Sequence, residues 1–224
     1  MSRASRSTFT GFSRGRALVA AACLTLALSS PLGAQPFEFL GWGVQGGLNR
    51  GYIDYAGSLE GLDPGWGTGF TASPFLELSL AGRVRLQPGA RYAHLENHST
   101  VDMAHSKGEA EIVLDCVSLP VLVKGSIGRG PSFFVIAGLE PGFICKAETR
   151  ARLQTGESSD DIGDHVNRIY VTLDAGAGFA FDAGGHELFV QGLYCHGISN
   201  VADERYWILD WKTREIAVTA GVAF

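Results

Sequence analysis

The feature that most constrains the fold is a regular alternation of side-chain character along residues 114–144. Two apolar-rich runs, residues 114–124 and 133–144, flank a short segment that contains glycine and proline. Because successive side chains of a strand point to opposite faces, each run has one apolar face and one face of small or charged residues. Pro120 and Pro141 exclude a helix, since proline breaks the helical hydrogen-bond ladder. The stretch therefore predicts two strands of one hairpin.

The same alternation recurs along the chain and predicts eight strands. They are residues 37–49, 66–80, 84–94, 114–124, 133–144, 168–181, 186–198 and a last strand that ends at Phe224. Short connections alternate with long polar segments, namely residues 50–65, 95–111, 147–165 and a fourth through 203–206. An even number of strands near the ~9 to 11 residues needed to cross lipid is typical of outer-membrane barrels. We predict an all-β fold, an eight-stranded antiparallel up-and-down transmembrane β-barrel.

The first 34 residues are typical of a secretory signal peptide. Four arginines precede the apolar run 17–28, which is too short for a membrane-spanning helix. We expect residues 1–34 to be cleaved and residues 35–224 to form an outer-membrane β-barrel domain. The cleavage site stays open by a few residues, because Leu32 occupies a position where a small residue is preferred. The signal peptide and the barrel pattern together predict a location in the outer membrane of a Gram-negative-type bacterium.

Composition narrows the classes of partner. Removal of residues 1–34 takes away four arginines and no acid, which leaves 14 Lys and Arg against 23 Asp and Glu, a net charge of −9. This balance disfavours nucleic acid and anionic substrates. The remaining cysteines, Cys116, Cys145 and Cys195, show no CxxC or Cys/His spacing. Cys116 and Cys145 fall on opposite faces of adjacent predicted strands, so we expect no disulfide.

Alternation alone leaves open which face points inward. A soluble lipocalin-like carrier would turn its apolar face inward around a ligand. The small and charged face suits the crowded interior of a barrel of about eight strands, so we expect the apolar face to contact lipid. We also expect the charged residues of the inner face to plug the lumen through salt bridges, with a proton or ion path as the alternative. These residues are Arg85, Arg91, Lys124, Glu77, Glu140, Asp174 and Glu215.

Several segments resemble the PorT-type outer-membrane β-barrel family. They are residues 86–92 (LQPGARY), 114–124 (LDCVSLPVLVK), 137–138, 176–178 (GAG), 194–200 (YCHGISN) and 214–224. The resemblance implies an eight-stranded outer-membrane barrel, and it implies no catalytic or cofactor residues. The sequence departs from the family at Cys116, where an aromatic residue is usual, and at Ser118, where Glu is usual.

Two polar groups in the predicted loops could bind a divalent cation. The first is His94, His98, Asp102, His105 and Glu109, and the second is Asp160, Asp161, Asp164 and His165. Neither has the spacing of a known metal site, so we expect solvated charge, no metal and no cofactor. These loops would face the exterior, where they could contact lipopolysaccharide or an extracellular protein or ligand.

His196 and Ser199 raise the possibility of a lipid A acyl hydrolase. Their separation of three residues puts the two side chains on opposite faces of a strand, so the serine cannot use the histidine as its base. We therefore expect a monomeric protein that is not an enzyme and has a structural or surface-recognition role. The acyl hydrolase and the soluble carrier remain the alternatives. No residue pattern identifies a physiological ligand or a role in protein secretion.

Overall fold

The computed structural model describes residues 37–224, except 56–61, 104–105, 129–130, 154–155 and 204–209. The predicted signal peptide and His105 lie outside the described residues. The described chain is all-β. Its strands are β1 (Glu38–Tyr55), β2 (Leu62–Pro64), β3 (Gly67–Ala81), β4 (Val84–Pro88), β5 (Arg91–Met103), β6 (Ser106–Ser118), β7 (Val121–Ile127), β8 (Ser132–Leu153), β9 (Gly156–Asp161), β10 (Ile169–Ala183), β11 (His186–Gly197) and β12 (Trp211–Ala223). Within these residues no helix is long and apolar enough to span a membrane.

All strand pairings are antiparallel. β1 pairs with both β3 and β12, β3 pairs with β4 and β5, β4 pairs with β7, and β5 pairs with β6. β6 and β7 both pair with β8, which pairs with β10, and β11 joins β10 to β12. The pairings therefore lead from β1 around the sheet and back to β1. The short strands β2 and β9 add to β5 and β8.

Two of the predicted strands are each split in two by proline. β4 and β5 lie along β3 and are separated after Pro88, while β6 and β7 lie along β8 and are separated at Pro120. Proline has no N–H to donate to the ladder, so regular pairing stops there. The backbone bonds Gly89 N to Pro120 O (2.9 Å) and Ala90 N to Pro74 O (3.1 Å) bridge the interruption.

Burial confirms that the apolar face points outward. Leu173 and Val121 are 50% and 45% exposed, whereas Thr172 is 4% exposed. A lipocalin-like barrel would have the opposite arrangement.

The tight turns at Gly82 and at Gly184 and Gly185 use positive φ angles that glycine adopts readily. We call the end of the sheet opposite these turns the outer end.

The long polar loops predicted at 95–111 and 147–165 are wrong over most of their length, since β5, β6, β8 and β9 occupy them. Side chains still alternate between the two faces at the outer end, but apolar side chains there are buried and polar side chains face outward. On β5, Tyr92 is exposed, but beyond it Leu95 is buried and Glu96 faces outward. On β6, Val117 is exposed, whereas Leu114 is buried. Polar residues on the outer face are compatible with strands because the ladder bonds involve only the backbone.

Inward aromatic rings lie directly across from inward glycines. Gly178 pairs with Phe134, and Gly142 pairs with Tyr170. Both rings are buried, and a β-carbon on either glycine would overlap the ring opposite it. The same relation holds for Gly43 with Phe75 and Gly221 with Phe189. The glycines therefore make room for large side chains in a narrow interior, as the composition suggests.

The three described cysteines are free thiols. Cys116 and Cys195 are buried, and Cys145 is exposed. Cys116 and Cys145 thus lie on opposite faces of the sheet.

Candidate functional site

Six of the seven predicted inward charges are buried and Arg85 is half-buried, and they form two networks. The network nearer the tight turns centres on Lys124, which is 1% exposed. Its Nζ lies 3.1 Å from Glu77 Oε1 and 2.6 Å from Glu187 Oε1, and Arg85 contacts the same two carboxylates. The ammonium also lies over the rings of Phe134 and Phe189, at 4.6 and 5.3 Å from their centroids. Glu187 is absent from the predicted set, because it lies beside the turn in a strand with irregular alternation.

The second network, toward the outer end, centres on Arg91. Its Nη1 lies 3.2 Å from Glu140 Oε2, and its Nη2 contacts Glu215 Oε2. Ser118 donates a hydrogen bond to Glu140 Oε1 at 2.8 Å. At the position where the resembling family usually has Glu, this chain thus uses Ser118 to bind a carboxylate supplied by β8. Asn49 Nδ2 donates to Glu215 Oε1 at 3.1 Å.

Among the residues that the structure describes, the two networks hold more carboxylates than cations. The three cations are Arg85, Arg91 and Lys124, and the five carboxylates are Glu77, Glu140, Asp174, Glu187 and Glu215. Asp174 is 0% exposed; its Oδ1 accepts from Thr172 at 2.7 Å, while its Oδ2 has no protein hydrogen-bond partner. Buried charges are costly without partners. The surplus of acidic groups lies in the Arg91 network, where the guanidinium contacts Glu140 and Glu215 but not Asp174.

Two segments, residues 162–168 and 198–203, cover the outer end; we call them the cap. Val166 and Ala202 form an isolated β-bridge, and Asn167 Nδ2 donates to the carbonyl oxygen of Ala202 at 2.7 Å. Apolar cap residues are buried against Tyr170 and Trp211. A cavity of about 10 Å³ remains between the cap and the Arg91 network, lined by Tyr170 and Glu215 among others. Such a cavity holds about one water molecule.

The members of the first predicted cation group that the structure describes do not converge on one point. Asp102 is exposed, and His94 Nδ1 lies 2.6 Å from Asp115 Oδ1. This hydrogen bond raises the pKa of the His94 imidazole above its ordinary value, although partial burial opposes the shift. His98 lies instead beside Glu96 and Glu111, two acids that the sequence did not single out.

The second predicted cation group is engaged in local structure. Asp161 Oδ1 accepts a hydrogen bond from the Gly163 amide at 2.8 Å, which shapes the turn after β9. Asp164 forms a 3.4 Å ion pair with Arg168. Asp160 is exposed on β9.

Ser199 binds the backbone. Its Oγ accepts a hydrogen bond from the Val171 amide at 2.8 Å, the turn-forming role that the sequence favours. His196 Nδ1 lies 3.5 Å from the hydroxyl of Tyr194 on the same strand. β11 ends at Gly197, one residue after His196, and the chain bends at Ser199.

The chain is similar to proteins of known structure, including the following three. Neisserial surface protein A (NspA) is 10% identical, with a TM-score of 0.44, over 83% of this chain and 99% of that one. Ail of Yersinia pestis, solved with the heparin analogue sucrose octasulfate, is 15% identical, with a TM-score of 0.42, over 84% and 99%. OprG from Pseudomonas aeruginosa is 10% identical, with a TM-score of 0.44, over 84% and 95%.

The sequence has no significant match among curated proteins. Residues 31–203, which include most of the described strands, match the family described as Outer membrane protein beta-barrel domain. The chain belongs to this outer-membrane β-barrel family.

Proposed function

We propose that this chain is an eight-stranded barrel with a plugged lumen, in the outer membrane of a Gram-negative-type bacterium. The twelve strands reduce to eight barrel strands when β4 with β5 and β6 with β7 are each taken as one, and β2 and β9 as additions at the outer end. The return of the pairing to β1 supports closure, which leaves no sheet edge exposed to lipid. The PorT-type assignment within the family stays a prediction from the sequence.

An exposed apolar band supports the membrane-spanning position. On β8, the outward residues from Phe133 to Phe143 are exposed over a stretch of 11 residues, 133–143, which fits a tilted strand that crosses lipid. Trp42 stacks on Phe224 near the tight-turn end, with ring centroids 4.6 Å apart. Tyr92, which pairs with Val117, is exposed near the other limit of the band. Aromatic residues at both limits are typical of such barrels.

The observation that carries the proposal of a plug is the filled interior. Two salt-bridge networks, apolar clusters and the cap occupy the interior from the tight turns to the outer end. A pore needs a continuous path for water, and an interior of eight strands has room only for side chains. The proposed protein therefore conducts no ions and serves as a scaffold for its outer surface.

The outer surface supports a recognition role. Beyond the apolar band, β5, β6, β8 and β9 form an outward polar face, which we call the outer polar sheet. A cavity of about 430 Å³ opens on it, lined by residues such as His98, Glu111, Arg150 and Arg152. A monomeric barrel could present this surface to lipopolysaccharide or to an extracellular protein or ligand.

Planar-bilayer recording tests the plug. The purified protein, first shown to be folded by heat-modifiable migration on a gel, should give no stable large unitary currents. The control is a variant in which the cap residues 162–168 are replaced by a glycine-serine linker of equal length. Stable large currents from the wild type would overturn the proposal.

The same preparation tests whether the protein is an acyl hydrolase. We propose that it is not one, because Ser199 Oγ is held by the Val171 amide. Release of fatty acid from lipopolysaccharide by the wild type, lost in both Ser199→Ala and His196→Ala, would make the protein an enzyme.

A further inference from the structure

Three side chains of the outer polar sheet converge: Glu96 and His98 on β5, and Glu111 on β6. Each offers one potential metal-ligand atom, and these atoms all lie within 4.8 Å of one another. Among the residues that the structure describes, they form the one group of three or more His, Cys, Asp or Glu that converges in this way. The group combines an imidazole with two carboxylates, which are ligand types that transition metals accept.

The strand register explains why they converge. His98 and Glu111 are directly opposite each other in the antiparallel pair of β5 and β6. Glu96 precedes His98 by two residues and therefore lies on the same face of β5. Side chains that are opposite or diagonal across paired strands lie within reach of each other. Ligands carried by paired strands are also positioned more rigidly than ligands on loops.

The surroundings orient one ligand and leave another free to move. Glu96 Oε1 lies 3.4 Å from His94 Nε2, and the other nitrogen of His94 lies 2.6 Å from Asp115. Outer partners of this kind hold metal-binding carboxylates in place. Arg150 lies 3.9 Å from Glu111 and also contacts Glu148 at 3.4 Å. Arg150 therefore keeps a partner if Glu111 turns toward an ion.

The group is also accessible. His98 is exposed, whereas Glu96 and Glu111 are half-buried. The cavity of about 430 Å³ on the outer polar sheet is lined by His98, Glu109 and Glu111. An ion can enter from this side, and water can complete its coordination.

We propose that Glu96, His98 and Glu111 bind a divalent transition-metal ion. The combination of one imidazole and two carboxylates favours zinc. Zinc takes His nitrogen and carboxylate oxygen ligands at about 2.0 to 2.2 Å, commonly three protein ligands and one water. Two carboxylates balance the charge of the ion, and neutral His98 supplies the nitrogen. The site adds metal binding to the outer polar sheet, and it does not depend on the plugged lumen.

Zinc titration of the folded mature protein tests the proposal. The protein carries no histidine tag and has Cys145→Ser, because the exposed thiol of Cys145 could bind zinc by itself. Equilibrium dialysis with metal analysis should give one zinc per chain. Glu96→Gln, His98→Gln and Glu111→Gln should each weaken binding at least about tenfold, because each removes a ligand, whereas His94→Gln should weaken it about 10- to 100-fold by loosening Glu96.

The matched control is Glu157→Gln, an exposed carboxylate of the same sheet that pairs with Arg152 at 2.7 Å. It should leave zinc affinity unchanged. Each variant is first shown to be folded by heat-modifiable migration, and His98→Asn replaces any His98 variant that does not fold. Failure of the wild type to bind zinc, or equal weakening by Glu157→Gln and the ligand variants, would overturn the proposal. Zinc binding that is insensitive to His98→Gln would show diffuse attraction to the acids and would also overturn the proposal.

Discussion

Arg91 is the residue on which the charge balance of the interior depends most. It contacts both Glu140 and Glu215, while Asp174 lies in the same network without a cation of its own in contact. Removal of one member of a buried ion pair leaves an unpaired charge, which is far more costly than the loss of the pair as a whole. The consequences of substitution should therefore differ between the single cation and the surplus acids.

We expect Arg91→Met to lower the free energy of unfolding by about 3 to 5 kcal/mol, since it leaves buried carboxylates unpaired. Asp174→Asn should cost less than about 1 kcal/mol or raise stability, because it removes surplus charge and keeps an oxygen that can accept from Thr172. Denaturant unfolding in detergent, followed by gel mobility, measures both. Equal losses in the two variants would contradict the imbalance described above.

At the scale of the strand, inward glycines determine where large aromatic rings can pack inside the sheet. Gly178 faces the ring of Phe134, which is 0% exposed. Gly192, on the neighbouring strand β11, has open space where a β-carbon would lie. The two glycines thus differ in packing although both lie in regular strands.

Gly178→Val should destabilise the barrel by about 1 to 3 kcal/mol or more, because the added side chain overlaps Phe134. Gly192→Val should be close to neutral, since nothing lies within 4 Å of its β-carbon position. The refolded fraction in detergent, together with the denaturant midpoint, measures the difference. A neutral Gly178→Val would show that the ring is free to move away.

Strand alternation in the sequence predicts most of the fold, but it does not predict the strands beyond the apolar band. The seven inward charges are predictable from parity, and the structure brings them together in the interior. Beyond Tyr92 the large apolar side chains lie on the inward face instead of the outward face. A sequence pattern that requires apolar residues on the outward face therefore interprets residues 95–111 as a loop. The trio of Glu96, His98 and Glu111 escapes prediction for a related reason: it depends on the register of two strands.

At the scale of the whole molecule, the apolar band should decide whether the chain inserts into lipid. Leu173 and Val121 lie within the band on different strands, and both are about half exposed. Leu173→Arg or Val121→Arg should therefore cost about 2 to 4 kcal/mol of membrane-inserted stability, as charges near the bilayer midplane do. Thr172→Ser, on the inward face beside Leu173, should be nearly silent. Folding into lipid vesicles measures this, and equal tolerance on both faces would refute the orientation.

The change from an apolar to a polar outer face beyond Tyr92 and Val117 has a consequence for how the barrel sits in its surroundings. Below that level the outer face is apolar and the interior holds the buried charges among apolar rings, whereas above it Leu95 and Leu114 are buried while Glu96 and Asp115 face outward. A shift of the barrel up or down would expose apolar side chains to water or drag carboxylates into hydrocarbon, and both are costly. In the proposed membrane position, the level at which the outer face changes from apolar to polar therefore marks the membrane boundary. It sets how deeply the barrel is inserted and keeps the outer polar sheet outside the lipid.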